Sequence, residues 1–190
     1  MKKASFTFLT HNAFRAPGAA AIEILRGQPK KVVYLHEIYS KMHKYIVPHE
    51  YHLSEANLAE LSGLSFVFIC IDQGNAKAKI VKNLIEAGIP FVDVGIGIQA
   101  IDGLLTGSAR VTAASAINHD HLDRRISFSD ADEENDYEKN IQIAEINALN
   151  AALAVIKWKK LFGFYHDLEK EYHSAYEINI NKIINDEALA

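Results

Sequence analysis

The clearest fold signal in the chain is SFVFICIDQGNAKAKIVKNLIEAGIPFVDVGIGI, residues Ser65–Ile98. Phe66–Ile71 and Phe91–Val94 are continuous apolar runs of strand length. Between them, Ala76–Ala87 has the period of an amphipathic helix, which Gly88 ends. Strands without alternation are buried on both faces, as in parallel sheets covered by helices. The stretch therefore predicts a β-α-β unit in an α/β, Rossmann-like three-layer fold with a mostly parallel sheet.

The carboxyl ends of these two strands are the predicted place for a ligand, because open α/β sheets bind ligands at that edge. Asp72 directly follows the first strand, and Gly95-Ile96-Gly97 follows the second as a predicted turn. This Gly-x-Gly lacks the third glycine and the helix start that aim backbone N–H groups at a pyrophosphate. The expected site at this edge therefore depends on side chains.

Composition limits the function classes. A chain of 190 residues that is 49% hydrophobic can form one well-buried domain, so we expect a single domain over 1–190. The net charge of −4 and the scattered Lys and Arg residues argue against a nucleic-acid partner. The single cysteine is typical of a reduced, cytoplasmic protein. Polar residues interrupt the first apolar run, so neither a signal peptide nor a membrane span is expected.

The rest of the chain predicts alternating helices and strands. An acidic, solvated and mobile crossover is expected at about 118–136, where seven acidic residues lie between Asp120 and Asp136. The last residues, Lys182–Ala190, are expected to fray. Helices are predicted over Ile22–Arg26, Pro29–Lys44, Glu55–Leu61 and Tyr137–Phe162, and strands over Ala4–Leu9, Ile46–Leu53, Gly103–Ser115 and Ser174–Ile180.

The stretch FLTHNAFRAPG, residues Phe8–Gly18, places an amide and a guanidinium after the predicted first strand. With QPKKV opening a helix, FICIDQGNAK at a strand end, GIPFVDVGIGI and a later Ala-rich helix, the order of motifs resembles the ThiF family. These are the adenylating enzymes related to ubiquitin-activating enzymes. The resemblance covers nearly the whole chain.

The resemblance implies a reaction and its ligands. In ThiF-like enzymes the C-terminal carboxylate of a ubiquitin-like or sulfur-carrier protein attacks the α-phosphate of ATP, which gives an acyl-adenylate and pyrophosphate. ATP and Mg²⁺ are the implied cofactors, and a homodimer is the implied assembly. Carried over by motif, Asn12 and Arg15 contact the phosphates, Lys31 opens the next helix beside them, and Asp72 holds magnesium near the reacting phosphate. Lys77 stands where the family usually has arginine, and the resemblance implies that it too contacts the nucleotide phosphates.

Each of these residues also has a structural interpretation. Asn12 could cap a helix or turn, Arg15 and Lys31 could be solvated surface charges, and Asp72 could cap the helix that follows it. Phosphoryl-type chemistry, by contrast, needs a guanidinium, an ammonium and a metal-holding carboxylate together. The family order of the four residues favours the phosphate site, with Arg15 and Asp72 as the catalytic pair.

The sequence departs from the family where a Gly-x-Gly-x-x-Gly loop and an acidic second strand end are expected. Three explanations fit the missing loop and strand end. The chain could be a fragment without its first βαβ half, a partner chain could supply that half, or the protein could be a homologue that kept the dimer surface and lost ATP binding. Two functions therefore stay open. One is ATP-dependent adenylation by a larger or completed enzyme, with the isolated chain inactive or incomplete. The other is a non-catalytic dimerisation or protein-binding module of the same fold.

Two other candidate sites are weaker. Cys70 lies inside a predicted apolar strand, so we interpret it as a small core residue rather than a thioester-forming nucleophile. His119 and His121, with Asp120 and Asp123, have ligand chemistry for a metal ion, but a solvated loop is the favoured interpretation.

Overall fold

The computed structural model describes residues 20–128 and 143–186. These residues form two compact units. The residues up to Leu53, together with Ile143–Glu145, make the first unit, and the other described residues, from Ser54 onward, make the second. The predicted strand Ala4–Leu9 lies outside the described residues.

The first unit contains two helices and an irregular segment. Helix α1, Ile22–Arg26, ends at Gly27 as predicted. Helix α2, Lys31–Tyr39, is shorter than the predicted Pro29–Lys44. The strand predicted over Ile46–Leu53 is wrong, because this segment has no regular structure in the described residues. Alternation alone does not make a strand, since the backbone also needs a neighbouring strand for its hydrogen bonds.

The predicted β-α-β unit is confirmed in the second unit. Strand β1, Val67–Ile69, is followed by helix α3, Gly74–Glu86, and by strand β2, Phe91–Ile101. β1 and β2 are parallel, and Ile69 lies opposite Asp93. A 3₁₀ helix at Leu58–Gly63 precedes the unit, near the helix predicted over Glu55–Leu61.

Three further strands complete a five-stranded sheet in the order β1-β2-β3-β4-β5. They are β3, Leu104–Ala114, β4, His173–Glu177, and β5, Lys182–Asp186. The α/β, Rossmann-like class is confirmed, but the mostly parallel sheet is wrong, because every pairing beyond β1 and β2 is antiparallel. A turn at Asp102 and Gly103, both with positive φ, joins β2 directly to β3, and so short a connection forces antiparallel neighbours.

Two local predictions fail for related reasons. The turn predicted at Gly95-Ile96-Gly97 is wrong, because both glycines lie inside β2, where Gly95 pairs with Arg110 and Gly97 with Ser108. Fraying from Lys182 is wrong as far as Asp186, because β5 pairs along its length with β4. In both places the partner strand supplies the hydrogen bonds that local sequence does not reveal.

Helices cover the two faces of the sheet. Helix α5, Ala144–Leu161, packs on one face, where Ala154 joins a core with Val92, Val111, Ala113 and Tyr172. Side chains alternate along β2, so Asp93 points to the opposite face, where Lys77 of α3 meets it. The face under α3 therefore carries a buried polar group within the sheet.

The predicted acidic crossover at 118–136 is described only up to residue 128. That part contains a short helix α4, Leu122–Arg125, with Leu122 and Ile126 buried. Residues 129–136 lie outside the described residues. Across the described ranges 20–128 and 143–186, no helix has the length and apolar character needed to cross a bilayer.

Candidate functional site

Asp72 stands at the carboxyl end of β1, three residues after Ile69. Its side chain is exposed, and α3 begins two residues later at Gly74. The residue before the helix, Gln73, makes no side-chain cap hydrogen bond, and within the described residues Asp72 has neither a hydrogen bond nor an ion pair. The carboxylate therefore faces solvent beside the positive end of a thirteen-residue helix.

Lys77 lies one turn into α3 and points inward. Its side chain is 5% exposed, and Nζ lies 3.0 Å from Oδ1 of Asp93, which is fully buried. A lone buried charge is costly, so each group requires the other. The charge of Lys77 is thus compensated inside the protein, while its contact with a phosphate stays a prediction.

Arg110 provides a second cation for the same carboxylate. It lies on β3 opposite Gly95, and its Nη1 donates to Asp93 Oδ2 at 2.7 Å. The guanidinium lies against the Gly95 backbone: a Cβ placed on Gly95 would be 2.7 Å from three guanidinium atoms. Arg110 remains 21% exposed. The guanidinium of Arg110 therefore fits in this position only because Gly95 has no side chain.

The polar contacts continue across the sheet. Nη1 of Arg110 also lies 3.4 Å from Oγ1 of Thr112, which is 2.9 Å from Nδ1 of His173 on β4. On the other face, Nδ2 of Asn150 donates to the Gly95 carbonyl oxygen at 3.1 Å. Thus β2 is held at Gly95 by an α5 side chain, and Asp93 and Arg110 belong to a connected network rather than to an isolated pair.

A second buried charge cluster lies between α5 and the segment before β4. Nζ of Lys157 donates to Oε1 of Glu171 at 2.8 Å and to Oγ of Ser174 at 2.9 Å. Nζ of Lys160 donates to both carboxylate oxygens of Glu171, and it also lies 3.1 Å from Asp167. One carboxylate thus joins two lysines that are three residues apart on one helix.

The pKa values in this cluster shift for identifiable reasons. Burial alone would raise the pKa of Glu171, but hydrogen bonds from Lys157 and Lys160 lower that pKa to about 2. Burial lowers the pKa of Lys157, and its hydrogen bond to Glu171 opposes this effect. Burial also acts to lower the pKa of Lys160, but its hydrogen bonds to Glu171 and Asp167 raise it overall. The arrangement holds Glu171 as a carboxylate and therefore has a structural role.

Lys31, the third described candidate, belongs to the first unit. It is the exposed first residue of α2 and lines a cavity of about 690 Å³ between that helix and the irregular segment after it. Asp72 and Lys77 belong to the second unit. Asn12 and Arg15 lie outside the described residues, so their predicted phosphate contacts stay predictions.

The two weaker candidates take different places. Cys70 is exposed, so the core interpretation is wrong. The physical reason is that β1 ends at Ile69, which leaves Cys70 beyond the sheet. His121 is buried, and its Nε2 lies 2.9 Å from the carbonyl oxygen of Ala113, which anchors it to β3. Residues 20–128 and 143–186 contain no group of three ligand side chains that could hold a metal ion.

Asp93 and Arg110 are the site residues that sequence reasoning missed. Both carry a signal in retrospect, because each is the one charged residue inside a strand rich in apolar and small residues. A charge in a buried strand needs a partner. The identity of that partner depends on β2 and β3 lying side by side.

Comparison with solved structures supports the fold. The selenomethionine structure of PaaA aligns with a TM-score of 0.61 at 15% identity, covering 92% of this chain and 60% of PaaA. E. coli MccB crystallised with MccA-N7isoASN aligns with a TM-score of 0.60 at 13% identity, covering 89% of this chain and 51% of MccB. MccB with succinimide gives a TM-score of 0.55 at 16% identity.

These identities show a shared fold only. The chain spans between half and three fifths of the length of the structures that it matches. No family model matches the sequence, and no curated protein matches it.

Proposed function

We propose that this chain carries the strand-edge part of an ATP-dependent adenylating site of the ThiF type. Its substrate would be the C-terminal carboxylate of a ubiquitin-like or sulfur-carrier protein, which attacks the α-phosphate of ATP and releases pyrophosphate. The observation that carries the proposal is the exposed carboxylate of Asp72 at the carboxyl end of β1, directly before α3.

The chemistry of Asp72 suits a magnesium ligand. Mg²⁺ prefers oxygen ligands and is held through one or two carboxylates together with substrate phosphates. A carboxylate used as a helix cap would be engaged with the first-turn N–H groups, but Asp72 makes no such bond within the described residues. When bound, the metal would neutralise phosphate charge, while the first-turn N–H groups of α3 would face the same anion.

The likeness to MccB supports the proposal at the level of the fold only. The sequence has no Gly-x-Gly-x-x-Gly loop, whose backbone N–H groups would cradle a pyrophosphate. We therefore expect this chain alone to bind Mg-ATP weakly and not to complete adenylation. Asn12, Arg15 and Lys31 are proposed as the further phosphate contacts.

Calorimetry with Mg-ATP tests the role of Asp72. We expect a dissociation constant near 1 mM, or about −4 kcal/mol, for the unaltered chain. Asp72→Asn keeps the shape of the side chain but removes its charge, so binding should weaken with Mg²⁺ and should not change with EDTA. The matched control is Asp102→Asn, which removes the same charge at the β2–β3 turn. Equal weakening in both variants, or none in Asp72→Asn, would contradict the proposal.

One observation favours the non-catalytic module as a second candidate. The outward face of α5 is apolar, although it is uncovered in the described residues: Val155 and Ile156 are each 43% exposed, and Ala148, Ala151 and Ala152 are also exposed. Small residues on such a face let a second helix approach closely. A homodimer through α5 is the assembly that this face supports.

A further inference from the structure

Arg110 is a second cation beside Asp93, beyond the one that charge neutralisation requires. Asp93 already has Lys77 at 3.0 Å, and a single carboxylate needs only one cation for charge balance. The second cation gives Lys77, Asp93 and Arg110 a net charge of +1. A purely structural pair would not need this excess charge.

The hydrogen bonds of Arg110 leave part of its guanidinium unused. All of its side-chain hydrogen bonds with described residues are donated by Nη1, to Asp93 and to Thr112. Nε and Nη2 lie against Gly95, and no described residue accepts their hydrogens. A guanidinium carries five donors in a fixed planar fork, so the unused side can bind two oxygens of an oxyanion.

Topology places this fork beyond the carboxyl end of β1, in the direction that also leads to Asp72. Ile69 lies opposite Asp93 in the parallel pair, so residues that follow either one lead toward the same edge. Asp72 follows Ile69 by three positions, and Gly95, the partner of Arg110, follows Asp93 by two. The α3 N-terminus, which has no side-chain cap from Gln73, also begins at this edge.

We infer that Arg110 is a phosphate-contacting residue beside the carboxyl end of β1, oriented by its bond to Asp93 and accommodated by the missing side chain of Gly95. That the phosphate belongs to ATP rests on the proposed function. The contact itself requires only an oxyanion with two oxygens free.

Three variants test this inference by calorimetry with inorganic pyrophosphate at low ionic strength. Gly95→Ala leaves every charge in place but puts a Cβ where the guanidinium lies. Gly97→Ala is the matched control, since a Cβ there meets nothing within 4 Å. Arg110→Lys keeps the charge and removes the fork, and it also serves if Gly95→Ala fails to fold.

We expect pyrophosphate affinity to fall about tenfold in Gly95→Ala and in Arg110→Lys, and to stay unchanged in Gly97→Ala, as befits a charge-assisted contact. Wild-type affinity in Gly95→Ala and Arg110→Lys would overturn the inference. The proposed function would survive this result if Mg-ATP binding still depended on Asp72. Arg110-dependent binding of pyrophosphate without any binding of Mg-ATP would support Arg110 and refute the ATP site. Binding of neither probe would refute both.

Discussion

Glu171 should stabilise the fold at neutral pH and lose this effect in acid, and replacing this one residue should remove that pH dependence. Its pKa lies at about 2 in the folded protein, against 4.5 for the ordinary group, because Lys157 and Lys160 donate to it. A depressed pKa in the folded state gives stability that is complete above pH 4.5 and is lost as the pH falls toward 2. The shift corresponds to about 3 kcal/mol, which we reduce to about 2 because solvent reaches Lys160.

The perturbation is Glu171→Gln. At pH 7 the variant leaves the buried Nζ of Lys157 without an anionic partner, so the free energy of unfolding should fall by about 2 to 4 kcal/mol. At pH 3 the unfolded wild-type chain binds a proton at this position, so the difference between the two proteins should shrink by about 1 to 2 kcal/mol. The sign is fixed: the loss is largest at neutral pH.

Urea unfolding followed by tryptophan fluorescence measures this difference. Trp158, the only tryptophan in the chain, lies next to Lys157 on α5 and therefore reports on the second unit. Glu169→Gln is the matched control, since Glu169 is exposed and has no partner among the described residues. If the difference in the free energy of unfolding between the wild type and Glu171→Gln stays constant from pH 7 to pH 3, the assigned role of Glu171 is wrong.

Three further outcomes are expected. In thermal unfolding without metal, Asp72→Ala and Asp72→Asn should each change the free energy of unfolding by less than about 0.5 kcal/mol, because Asp72 caps no helix in the described structure. A clear loss of stability in both variants would instead support the capping interpretation. Gly107→Ala should lower the free energy of unfolding by more than about 2 kcal/mol in the same urea experiment, because φ at Gly107 is +139° and a Cβ there would lie 1.9 Å from the Gly97 carbonyl oxygen. The control Gly97→Ala should leave the free energy of unfolding nearly unchanged. Light scattering should give twice the 21.2 kDa monomer mass, and Val155→Lys should give the monomer; a monomeric wild-type chain would remove the α5 interface.

The β-α-β unit could be predicted because its information is local. Phe66–Ile71 and Phe91–Val94 are apolar without alternation, and the helix between them has a clear period and a glycine stop. The expected burial on both faces is confirmed at the start of β2, where Phe91 and Val92 are buried, but it is wrong for β1, where Phe68 is 42% exposed. The reason is that β1 is an edge strand of the sheet. The position of Asp72 at a strand end follows from the same stretch.

The direction of the remaining strands could not be predicted in the same way. Whether β3 runs parallel or antiparallel depends on the two-residue turn at Asp102 and Gly103 and on the length of β2, which continues through both glycines of the predicted turn. β5 owes its order to pairing with β4. Such pairings are non-local, so a propensity for turn or coil is overridden when a partner strand supplies the hydrogen bonds.

Hydrophobic period and chain order are properties of neighbouring residues, so the α/β class, the parallel β1–β2 pair and a carboxylate at the end of β1 could be predicted from the sequence. How the charges combine depends on the tertiary structure. Lys77, Asp93 and Arg110 come from a helix and two strands, and they meet because Asp93 is buried between those elements and needs cations there. The role of Gly95 also depends on the tertiary structure. The register between β2 and β3 places Arg110 opposite Gly95, and its guanidinium occupies the space where a Gly95 side chain would lie.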